Sequence, residues 1–124
     1  AVTYPAAYPE VIAVSATDNT DTIASWSSRG PEIDLAAPGV NIYSTYKGQT
    51  YKTLSGTSMA APHVTGVAAL VLTQPAKCDI NGDGTCSPAE VKQRLEATAE
   101  DLGTPGRDDF YGSGLVDAEK AVIY

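Results

Sequence analysis

Apolar positions fall into short β-like runs before residue 55 and into longer helical stretches after it. Residues 11–17, VIAVSAT, form a β-rich apolar run; the polar DNTD at 18–21 reads as a turn, and TIASWSS at 22–28 as a second strand. A short apolar piece, Ile33 to Ala37, follows a Gly-Pro break, and VNIYSTY (40–46) and TYKTL (50–54) are further strands separated by Lys47-Gly48. The pattern then changes. SMAAPHVTGVAALVLTQ (58–74) has little polar surface on any side, which predicts a helix buried all round. Pro62 has no N–H for the Ser58 carbonyl, so simple rules start that helix at Pro62, with a kinked first turn at Ser58 as the competing reading. SPAEVKQRLEATAE (87–100) places Val91 and Leu95 at i and i+4 behind Ser87 as N-cap, Pro88 at N1 and Glu90 at N3, an amphipathic helix. The tail from Tyr111 reads as a Gly-rich turn and a short helix. No internal repeat or long linker divides residues 1–124, so they are read as one unit.

Charge narrows the range of partners. Eight basic against 15 acidic residues give a net charge of −7, which repels phosphate backbones and anionic lipid headgroups. Neither nucleic acid nor a membrane surface is an expected partner. The longest apolar run, GVAALVL at 66–72, is far short of the roughly 18 residues that span a bilayer. The opening AVTYPAAYPE has no initiator Met and no signal sequence, and is read as the start of a processed product or a fragment.

The stretch SGTSMAAPH (55–63) brings a serine among small residues close to the chain's single histidine, His63. On a helix, five residues at about 100° each put His63 roughly 140° around the cylinder from Ser58 and about 7.5 Å along it. A nucleophile and its base must approach to about 3 Å. The two face apart, so a base for Ser58 lies outside this chain. Lys47 and Lys52 precede the serine without Ser-x-x-Lys spacing, so a Ser-Lys dyad has no support. Taken alone, a serine at a helix start is more often a cap than a nucleophile.

The wider string changes that balance. GTSMAAPHVTGVAAL resembles the serine segment of the subtilisin-like serine proteases, and YPAAYPEVIAVSATD, ASWSSRGPEIDLAAPGVNIYST and YGSGLVDAEKAV resemble other segments in that family's order. The resemblance covers nearly everything except residues 75–87. It implies an α/β fold with a mostly parallel sheet and a buried central helix, of which this chain is the C-terminal portion. It implies that Ser58 attacks a peptide carbonyl, that the Ser58 N–H and Thr57 help hold the oxyanion, and that Thr3, Ser55 and Met59 lie along the substrate cleft. A helix N-terminus suits developing negative charge. The family's Asp, His and Asn, which complete the triad and the oxyanion hole, precede the first matched segment, so an N-terminal portion of the same protease is the implied partner, with polypeptide substrates or proteinaceous inhibitors. Pro62-His63 matches a pair in which the histidine is structural. A weaker cation site is also implied, from carbonyls of Ala6, Tyr8 and Val11 with the side chains of Glu32 and Asp34, able to take calcium, sodium or potassium.

Residues 79–90, DINGDGTCSPAE, fit the calcium-loop pattern D-x-[DN]-x-[DN]-G-x5-E in full. Asp79, Asn81, Asp83, the Thr85 carbonyl, Ser87 or its water, and Glu90 supply the hard oxygens that calcium requires, and Gly84 permits the sharp turn. The alternative is a polar turn in which Glu90 serves only a capping box with Ser87. Cys78 and Cys86, the chain's two cysteines, bracket the loop and predict a staple, with two free thiols as the alternative. Bridge and calcium together point to an extracellular location. Two functions therefore compete: the serine-bearing part of a secreted endopeptidase, and a calcium-binding interaction module or inactive protease-like scaffold.

Overall fold

A computed structural model describes residues 1–124. The chain is α/β. Strand β1 (Val14–Thr17) runs parallel to β2 (Leu35–Pro38), and the hairpin β3 (Ile42–Tyr46) and β4 (Thr50–Leu54) forms a separate antiparallel pair. Then come α1 (Thr57–Leu72), α2 (Pro75–Cys78), α3 (Pro88–Thr98) and α4 (Ala118–Val122).

The segment TIASWSS is not a strand. It meets β1 at an isolated bridge between Thr17 and Ile23, and beyond that the Ala16 amide of β1 donates to the Ser27 hydroxyl at 3.0 Å and not to a strand carbonyl. The Asp18 carboxylate accepts from the Thr20 hydroxyl and from the amides of Thr20 and Thr22, and those bonds hold it below the usual carboxylate range. This side-chain turn folds the chain back on itself, and the Ser27 amide then bonds the Ala24 carbonyl at 2.9 Å. Local polar bonding of this kind competes with a sheet ladder and here displaces it.

Helix α1 begins five residues before Pro62, at Thr57. Its first turn closes on the N-cap: the Met59 and Ala60 amides both donate to Gly56 O, at 3.0 and 3.3 Å. Pro62 removes only the bond that would end on Ser58 O, within the first turns, so the helix tolerates it. One face of α1 is buried, through Ala60, Val64, Val67 and Val71, against β1 and β2. The opposite side is bare, with Leu70 and Leu72 47% and 55% exposed. Burial all round is thus not achieved within these residues, although the low polarity that predicted it is real.

The core joins Ala16, Leu35, Ala37, Val64, Val71, Cys78, Val91 and Leu95. Small residues let α1 lie close to the sheet, and Gly39 marks the tightest point. A Cβ there would stand 2.6 Å from Ala16 Cβ and 2.7 Å from Gly56 O. The Gly39 carbonyl also accepts from the Gly56 amide at 2.8 Å. The end of β2 is thereby tied to the start of α1. Helix α3 forms as its pattern predicts, with both halves of the Ser87/Glu90 capping box present. The four-residue α2, opened by Pro75, had no separate signal beyond that proline.

Candidate functional site

Ser58 is exposed on the first turn of α1, behind Gly56, an N-cap that contributes no side chain. With Met59 and Ala60 bonded to Gly56 O, the amides of Thr57 and Ser58 have no acceptor within the chain. Unpaired amides at a helix start carry partial positive charge, which favours an anion forming beside them. A cavity of about 450 Å³ lies between the hairpin and α1, lined in part by Tyr43, Tyr46, Lys52, Ser58, Met59 and His63.

His63 contributes a ring edge to that cavity, but its hydrogen bond runs back along its own helix, Nδ1 lying 2.8 Å from Met59 O. It makes no hydrogen bond to Ser58. Met59 lines the cavity beside Ser58. Ser55 faces another task, since its Oγ accepts from the Asn41 amide at 2.8 Å, and Asn41 has a positive φ of 56°. Thr3 is exposed outside this cavity, its carbonyl accepting from the Ala7 amide at 3.0 Å. Ser58 and Met59 thus line one cavity, and Ser55 and Thr3 are not among its lining residues.

In the second constellation, ligand oxygens of Asp79, Asp83 and Glu90 all lie within 4.8 Å of one another. The backbone is wrapped around them. Asp79 accepts from the amides of Gly82, Asp83 and Gly84, and Asp83 Oδ1 from the amide and hydroxyl of Thr85. The Thr85 bonds hold the Asp83 carboxyl below its usual range. Glu90 Oε1 accepts from the Ser87 amide, and Oε2 from those of Ile80 and Asn81; these bonds lower its pKa as well. The capping box and the loop tie thus coexist on one carboxylate. Asn81 Oδ1 accepts from the Asp83 amide. Three carboxyl groups facing one another are a donor set fitted to a hard dication.

Cys78 and Cys86 are disulfide-bonded, across the loop. Replacing both by serine is expected to lower stability by about 2.5 kcal/mol on the loop-entropy model, read by urea denaturation under non-reducing conditions.

A third cluster surrounds Asp34. Tyr8, Glu32 and Asp34 share a cavity of about 310 Å³ with Lys92 and Arg107. Those two cations, 3.2 and 3.0 Å from Asp34 Oδ1, were not identifiable from sequence, because nothing local links α3 or the 107–111 segment to residue 34.

The family model described as the subtilase family, Peptidase_S8, matches residues 1–114. A thermostable alkaline protease of Halalkalibacterium halodurans is 48% identical over 120 residues, covering 97% of this chain and 30% of that protein. Subtilisin DY of Bacillus licheniformis is 48% identical over 119 residues, 95% of this chain and 39% of the relative. Subtilisin Savinase of Lederbergia lenta is 45% identical over 120 residues, covering 97% of this chain and 40% of the relative. The chain thus spans well under half the length of these relatives. No helix in it is long and apolar enough to cross a membrane. With that match over almost its whole length, and with the serine segment at the head of α1, the chain belongs to the subtilase family of serine proteases.

Proposed function

We propose that these residues form the serine-bearing portion of a secreted endopeptidase that cleaves extended polypeptides through an acyl-enzyme on Ser58. The observation that carries the reading is the exposed Ser58 at the head of α1, beside two amides without acceptors and at the edge of an open cavity. In the reaction the hydroxyl adds to the scissile carbonyl, while the Ser58 N–H, aided by Thr57, steadies the oxygen as it gains charge. The general base and its carboxylate partner, with an Asn donor, come from polypeptide outside residues 1–124. That same polypeptide covers the bare side of α1. On this reading the isolated chain is inactive, since an unassisted serine hydroxyl is a poor nucleophile.

The loop at 79–90 holds calcium in this reading, through Asp79, Asp83 and Glu90 together with Asn81, Thr85 and Ser87. The ion's role is structural, neutralising three crowded carboxylates and fixing the approach to α3. Calcium and the Cys78–Cys86 bridge favour an extracellular site of action.

A fluorophosphonate probe tests the catalytic reading. It is expected to label Ser58 in the full-length protein, mapped by tryptic mass spectrometry, and not to label the 124-residue piece by itself. Absence of labelling in the full-length protein would favour the scaffold reading instead.

A further inference from the structure

Asp34 is only 5% exposed, and each of its carboxylate oxygens is engaged by the chain itself. Oδ2 accepts from the Ala13 amide at 2.8 Å. Oδ1 receives Lys92 Nζ at 3.2 Å and Arg107 Nη2 at 3.0 Å. The Lys92 ammonium also donates to Pro9 O at 2.9 Å and to Val11 O at 3.4 Å. The ammonium thus donates to two main-chain carbonyls and stands against a buried carboxylate as its ion-pair partner. The Lys92 side chain is 19% exposed, so its head is largely withdrawn from water.

That arrangement is the coordination an inorganic cation would take, completed by a side chain. Val11 O and Asp34 belong to the ligand set that the sequence resemblance implies for a weaker ion, and both now face Lys92. An ion placed there would meet the Lys92 ammonium and, through Asp34, the Arg107 guanidinium, which itself is fixed by Ile33 O at 2.8 Å and Glu96 Oε2 at 3.0 Å. Like charges at such separations disfavour one another strongly in a partly buried setting. The residues present therefore do not fit an exchangeable ion.

We propose that Lys92 is a built-in cation that replaces an exchangeable metal ion beneath the segment carrying Tyr8 to Val11, pinning that segment to α3 whatever the salt around the protein. The lysine is delivered by a helix with its own N-terminal box, so its position is set by α3 and not by the loop it anchors. This inference does not depend on Ser58 being a nucleophile.

The test measures thermal unfolding of the full-length protein with calcium fixed at one equivalent, enough for the 79–90 loop alone, in sodium, potassium or choline chloride of equal ionic strength, so that general screening is constant. The wild-type Tm is expected to be the same in all three salts. Lys92→Met is expected to lose stability in choline and to recover about 3–5 °C, saturably, in sodium or potassium. A saturable sodium- or potassium-specific rise in the wild type would overturn the proposal, as would a Lys92→Met protein indifferent to the cation. Should Lys92→Met fold in no salt, Lys92→Gln, which keeps a donor for Pro9 O, takes its place with the same two outcomes.

Discussion

Replacing Ser58 with alanine in the full-length protein is expected to reduce kcat on a peptide substrate by about 10⁶-fold, a magnitude established on subtilisin itself. KM is expected to change little, because the hydroxyl forms its new bond only as the reaction proceeds. The substitution adds no strain: Ser58 is exposed, its hydroxyl makes no hydrogen bond within the chain, and alanine is a good helix former. Circular dichroism and Tm should therefore match the wild type while turnover disappears. A variant keeping more than about a hundredth of the activity would remove Ser58 from the mechanism, since other terms in such sites are typically worth that much or more.

The second large effect concerns durability. Chelating calcium from the full-length protein with EGTA is expected to lower Tm by several degrees, because an ion present at a hundred times its Kd adds about 2.7 kcal/mol to stability. Asp79→Ala should produce the same drop without chelator and no further drop with it. Asp79 is the informative choice, for its two oxygens organise the amides of Gly82, Asp83 and Gly84. To separate loss of the ion from loss of that wrapping, Asp79→Asn keeps an acceptor oxygen while removing charge, and it should still lose the calcium response. Calcium-independent melting of the wild type would leave the loop as a polar turn closed by the Glu90 capping box.

How much of this could be read beforehand depended on whether the governing interactions were local. Helix α3 was legible because its cap, its proline and its apolar spacing all lie within one stretch, as do the loop acids and the two cysteines that staple them. The strands at 40–46 and 50–54 were legible for a similar reason, as short β-rich runs on either side of Lys47-Gly48, and the structure pairs them as a hairpin. The supposed strand at 22–28 misled, since the Ser27 amide turns back onto Ala24 O and its hydroxyl takes the Ala16 amide that a strand would have used. Pro62 misled about the start of α1 because the decisive bonds are made by Gly56, which is itself fixed by Gly39 at the end of β2. The Gly39–Gly56 contact joins residues far apart along the chain. The cationic partners of Asp34 were out of reach for the same reason, as Lys92 of α3 and Arg107 come from distant stretches to the residue just before β2.

The surroundings of the serine were more legible along its own helix than across the cleft. Helical rotation alone separated His63 from Ser58, and the ring is found bonded to Met59 O. Thr3 and Ser55 came only from family likeness, while Tyr43, Tyr46 and Lys52 of the hairpin line the cavity at Ser58. Short polar and aromatic strands reveal little about which face they will present until the helix beside them is placed.

The disposition of α1 has a practical corollary. Its 16 residues make a rod about 24 Å long, with the reactive serine at one tip and, through α2, the stapled acidic loop attached at the other. Damage beginning at the loop must travel the length of that rod before it disturbs the serine. A freshly stripped sample should therefore work at full speed for a while and then fail early, so a brief assay will miss the injury that a shelf-life trial records.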